Sequence, residues 1–111
     1  MRAAPRGGPL SSAMPMFIAH LVVEFTLHGN DSLKGKRSVA NSLKQKVRNK
    51  FNVAIAENGT EDCHTLLRLS VVSVSNSETY LRSRMDKCLL MMEAVAKEEM
   101  TDSSLEIYAA D

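Results

Sequence analysis

A chain of 111 residues, 44% hydrophobic and with a formal net charge of +1, has room for one domain around one core. No apolar run reaches the ~18 residues that a bilayer-spanning helix requires, and the two cysteines, Cys63 and Cys88, do not make a secreted disulfide framework. These properties exclude a membrane-spanning helix and a cysteine-stapled scaffold, and they point to a cytoplasmic protein.

The near-zero total hides a strong asymmetry. Met1 to Ala56 carries nine Lys/Arg against Glu24 and Asp31, a balance of +7; Glu57 to Asp111 carries five against eleven acids, a balance of −6. Such a division points to one element that meets a polyanion, or the acidic half of another copy.

Residues 1–15 hold all three prolines and two of the five glycines. They lack the apolar stretch of a secretory signal and are expected to be a disordered leader or an over-called start. The domain is then 16–111. From Met16 to His28, apolar residues at odd positions (Phe17, Ala19, Leu21, Val23, Phe25, Leu27) alternate with His20, Glu24, Thr26 and His28, which predicts a strand with one buried face. Asp31 or Ser32 can cap a helix from Leu33 to Lys50, with Val39, Ala40, Leu43 and Val47 as its buried stripe. Gly35 should loosen its first turn, or delay the regular helix to Ser38.

A short strand is predicted at Val53–Glu57, a polar loop at Asn58–His64 and a third strand at Leu66–Val74. A bulge, or burial on both faces, is expected near Val72 and Val74, where the apolar alternation shifts. Ser75-Asn-Ser-Glu78 fits a capping box for a helix reaching about Glu98, whose stripe is Leu81, Met85, Cys88, Leu89, Met92 and Val95. Thr101–Ser104 reads as a turn before a last strand carrying Leu105, Ile107 and Ala109. The order βαββαβ, with right-handed crossovers, gives an α+β ferredoxin-like sandwich: a four-stranded antiparallel sheet with two helices on one face. The open sheet face would then show His20, Glu24, Arg68, Ser70, Glu106 and Tyr108.

The stretch His28–Glu57 contains Ser32-Leu33-Lys34, Lys36-Arg37-Ser38-Val39, Leu43-Lys44 and Arg48-Asn49-Lys50-Phe51-Asn52-Val53, ending at Ala56-Glu57. This long ungapped pattern, with Val71–Asn76 further on, resembles the bacterial YlxP-like family, a domain of unknown function. The resemblance spans about Met16 to Tyr108. It implies a ferredoxin-like fold and, from the gene neighbourhoods of that family, a loose link to translation; it implies no activity. Asn30-Asp31 stand where the family often has a small residue and His, and the Asn58–His64 loop keeps only Glu61-Asp62 of an acidic and aromatic pattern.

Between Ser32 and Ala56 there are seven Lys/Arg and no acid. Arg37, Asn41, Lys44 and Arg48 follow spacings of four, three and four, so they share one exposed helix face. Lys34 lies at its edge, while Lys36 and Lys50 lie nearer the apolar side and would have to snorkel. The expected nucleic-acid-binding set is therefore Lys34, Lys36, Arg37, Lys44, Arg48 and Lys50, suited to a phosphate backbone. The plain alternative is a solvated face that keeps the protein soluble. The open sheet offers only Tyr108 and His20 for stacking, so RNA contact is expected through the first helix, leaving the sheet free for a homodimer.

No catalytic site is recognisable and no cofactor or metal is expected. Gly29 and Gly35 miss the spacing of a phosphate-binding loop. His20, Glu24 and His28 spread too far along one strand for a shared ion, and Cys63-His64 lacks an orienting third group. The leading expectation is a non-catalytic protein associated with ribosomal RNA or ribosomal particles. The alternative is a homodimeric interaction or regulatory module without nucleic acid. A small-ligand sensor is a third reading, by fold analogy alone.

Overall fold

Alternation along Met16–Thr26 produces β1, whose odd residues Ala19, Leu21, Val23 and Phe25 are fully or almost fully buried in the computed structural model, which describes residues 15–110. The expectation for residues 1–14 lies outside the described residues. The other elements are α1 (Leu33–Lys50), β2 (Ala54–Glu57), β3 (Leu66–Ser75), α2 (Glu78–Val95) and β4 (Glu99–Ala110). The strands lie in the order β2-β3-β1-β4, and every pairing is antiparallel. This is the ferredoxin-like arrangement, with the two strands that precede helices at its centre.

The core joins those odd residues of β1 to Leu67, Leu69 and Val71 of β3 and Ile55 of β2. Ala40, Leu43 and Val47 of α1 and Leu81, Met85, Cys88 and Met92 of α2 close it from one side. The opposite sheet face carries the six residues expected there, together with Ile18, Val22, Val72 and Val74.

Local signals decided the helix ends. Ser32 caps α1, its Oγ accepting from the Gly35 N–H at 3.0 Å, which satisfies one of the free N–H groups of the first turn. The helix starts at Leu33, not at Ser38. Gly35 does not loosen it: a Cβ there would collide with the Asn30 side chain, which ties the helix start to the loop by donating to the Ser32 and His64 carbonyls. Ser77, not Ser75, caps α2, accepting from Tyr80 N at 3.1 Å. Ser75 Oγ instead accepts from Ser77 N, and the helix ends at Val95, short of Glu98.

Two further expectations are corrected. No bulge interrupts β3, since its pairing with β1 is continuous from Leu66 to Ser75. Val72 and Val74 simply point to the open face. Thr101–Ser104 is strand rather than turn, because β4 pairs with β1 from Glu99 onward, and the irregularity lies there, at Glu24/Phe25. That register shift brings Met100 against the core while Asp102 and Glu106 stay outside.

Candidate nucleic-acid interface

The helical period brings Lys34, Arg37, Lys44 and Arg48 to the side of α1 that overhangs β2, the edge strand. Arg48 marks the place, its Nη2 reaching the Ile55 carbonyl at 3.4 Å. Lys34, Arg37 and Arg48 are exposed, and Lys44 is half-buried. None of the four has an acidic partner within 4.0 Å among the described residues. The far edge of the sheet is β4, which carries Glu99, Asp102 and Glu106. Three acids of the second half thus lie on the edge strand opposite β2.

Lys36 does not belong to this surface, and its inclusion in the binding set is corrected. It is 0% exposed. Its Nζ donates to Glu57 Oε2 at 2.7 Å, to the Thr60 carbonyl and to the Leu66 carbonyl at 3.4 Å. Glu57 Oε2 also accepts from Thr60 Oγ1 at 2.8 Å. All three donors of the ammonium are used, as a buried cation requires. Burial works to raise the Glu57 pKa, but hydrogen bonds from Lys36 and Thr60, with the charges of Lys36 and Lys44, outweigh it and hold the carboxyl below 4.5. The consequence for the basic face is direct. Glu57, the acid that follows the acid-free segment, is turned inward and neutralised, so it does not oppose an anion on α1.

Lys50 is also separated from the stripe. It faces α2 across a groove of about 230 Å³ lined by Lys50, Phe51, Asn52, Tyr80, Ser83, Arg84 and Lys87, with no carboxylate among them. Reading α1 alone missed this second basic cluster. Its signal was present in α2, where Tyr80, Ser83, Arg84 and Lys87 fall at helical spacing, but the acidic total of that half concealed it.

His20 Nε2 meets Ser70 Oγ at 3.0 Å, Glu24 accepts twice from Arg68, and His28 Nε2 is 2.8 Å from Glu99, so the three engage different partners. Hydrogen bonding from Thr65 draws the exposed Cys63 thiol below its ordinary pKa, while the His64 carbonyl accepts from Asn30. Burial pushes Cys88 up to about 11, leaving it a core thiol. Among the described residues no helix is long and apolar enough to cross a membrane.

Comparison with known proteins adds the family. The uncharacterized protein YlxP of Bacillus subtilis (strain 168) is 29% identical over 85 residues, covering 77% of this chain and 92% of that protein. Among solved structures, the de novo designed protein Foldit4 superposes with a TM-score of 0.49 at 9% identity, over 86% of this chain and 97% of that one. SnoaB, a cofactor-independent oxygenase from Streptomyces nogalater, superposes with a TM-score of 0.44 at 13% identity, over 84% and 92%. A sequence profile described as "Protein of unknown function (DUF503)" matches residues 18–105, and the chain belongs to that family.

Proposed function

We propose that this protein binds RNA, in the setting of ribosomal particles in the cytoplasm, through the phosphate backbone and without catalysis. The carrying observation is the cluster Lys34, Arg37, Lys44 and Arg48 on one side of α1, with no ion-pair partner among the described residues. Cations paired within the protein would have to surrender those pairs to bind phosphate. These have no ion pair to break, and each phosphate they neutralise releases counterions condensed on the nucleic acid, which favours association. Because β2 is short and lies beneath this side of α1, a phosphate backbone running along the sheet edge could meet several cations at once.

Co-sedimentation with ribosomal particles tests the reading. Reversing Arg37, Lys44 and Arg48 to Glu together should abolish it, and retention by the triple variant would refute α1 as the contact. Binding should also weaken with salt, with a log–log slope of roughly −2 to −4 for three or four phosphates.

A second reading, a homodimer through the open sheet face, draws on one observation. Val74, Ile18 and Tyr108 sit side by side on neighbouring strands, and Val74 and Tyr108 are each 52% exposed. A second copy would cover this apolar end with its own equivalent, as two-fold interfaces do. Light scattering after size exclusion would give a dimer mass, reduced to a monomer by Val74→Glu with Tyr108→Glu.

A further inference from the structure

We infer that the groove between the end of α1 and the start of α2 is a binding site for an unpaired nucleotide of RNA, its base stacked on Tyr80 and its phosphates held by Lys50 and Lys87. The inference rests on the RNA reading above and gives it a substrate class: single-stranded rather than fully duplex RNA.

Four observations carry it. Tyr80 is 65% exposed on the first turn of α2, so its ring is open to a partner. Arg84 lies over that ring, 5.6 Å from its centroid, within the range of a cation–π contact. The guanidinium is held there from behind, donating to Ser73 Oγ at 2.7 Å and to the Val74 carbonyl at 3.2 Å. Lys50 and Lys87 line the same groove without a carboxylate beside them, so the charge that surrounds the ring is positive. An aromatic platform backed by Arg and flanked by Lys is the arrangement that stacks bases and follows a phosphate chain with little regard to sequence.

Size and position agree. At about 230 Å³ the groove is smaller than the ~300–1,000 Å³ of pockets that enclose a whole small molecule. It suits one flat ring laid against Tyr80, with the rest of the chain outside. Asn52 links the groove to a second depression of about 370 Å³, which includes Ala54 of β2. Arg48 of the basic stripe bonds to the next residue, Ile55. One strand could therefore cross the end of β2 from the stripe into the groove.

Fluorescence anisotropy with two labelled probes tests this: a mixed-sequence single-stranded RNA of about twelve nucleotides and a blunt duplex of similar length. Tyr80→Ala, at an exposed position, should weaken the single strand roughly tenfold and leave the duplex unchanged, and Tyr80→Phe should restore binding. The chain has two tyrosines and no tryptophan, so in Tyr108→Phe protein the tyrosine emission comes from Tyr80 and should be quenched by the single strand. If Tyr80→Ala matches the wild type on both probes while the α1 triple variant loses both, the groove is overturned and the α1 reading stands. If Tyr80→Ala loses the single strand while the triple variant keeps it, the groove stands and the α1 reading falls. Binding of neither probe by the wild-type protein overturns both.

Discussion

The two helices are matched in length and in the positions they bury, yet one of those positions holds opposite chemistry. Counted from their capping serines, Ser32 and Ser77, both bury the fourth, eighth, eleventh and fifteenth residues: Lys36, Ala40, Leu43 and Val47 in α1, and Leu81, Met85, Cys88 and Met92 in α2. Lys36 thus occupies the slot that Leu81 fills in the other half of the fold. Leu81 needs only apolar neighbours there. Lys36 needs a carboxylate and two carbonyls, and obtains them from Glu57, Thr60 and Leu66. In doing so it fastens α1 to the end of β2, the loop after it and the start of β3. A buried ion pair is no stronger than apolar packing in general, but it joins chosen partners, whereas Leu81 would pack against any apolar surface of the right shape.

The sharpest way to break this comparison is Lys36→Ala. It leaves Glu57 and two carbonyls without their donor and should cost about 3–5 kcal/mol in urea denaturation, the range for removing one partner of a buried ion pair. Leu81→Ala, the matching change in α2, should cost about 2–5 kcal/mol as a cavity in an apolar site. A smaller cost for Lys36→Ala than for Leu81→Ala would mean that the pair contributes less than the packing it replaces.

Acid separates the two slots further. The Glu57 pKa is lowered in the folded protein, so the unfolded chain takes up the proton more readily. The stability from Glu57 is therefore complete above about pH 4.5, the ordinary value for its carboxyl, and is lost as pH falls through the depressed folded value. The deficit of Lys36→Ala relative to wild type should shrink over that acidic range, while the deficit of Leu81→Ala should not. Urea titrations of the three proteins at a series of pH values would measure it.

Two smaller effects complete the series. Ser32→Ala and Ser77→Ala should each cost about 1 kcal/mol, since each removes one accepting hydroxyl from a first turn. Equal costs would show that the helices start with equal security despite the different residues at their fourth positions. Arg37→Glu should change the urea midpoint least of all, because an exposed cation without an acidic partner contributes within about 0.5 kcal/mol. A large loss of stability would make Arg37 structural rather than part of a contact surface.

Much of the fold was legible before any coordinates. The alternation in β1 and β3 and the spacing of the helical stripes identified every element and most of the core, because periods of two and 3.6 leave only one way to bury an apolar face. The errors fall where neighbours decide. Thr101–Ser104 has turn-forming residues, but β1 is long enough to pair with them, and pairing overrode propensity. Val72 and Val74 imitate a bulge because two valines remain exposed on the open face. The site divided in the same manner. Spacing alone places Arg37, Lys44 and Arg48 on one face, with Lys34 at its edge. Lys36 was counted with them for its charge, although it falls on the row of Ala40, Leu43 and Val47.

By itself the sequence determined the order of elements, the caps available to both helices and an acid-free basic face on α1, since each depends on residues close in the chain. Only the tertiary structure decided that Lys36 would be withdrawn into a pair with a residue 21 positions away. It alone joined Lys50 to Tyr80, Arg84 and Lys87, and set the acidic β4 at the sheet edge opposite the basic stripe. Each of these depends on which elements become neighbours, and a linear charge pattern acquires a direction in space only when the strands take their order.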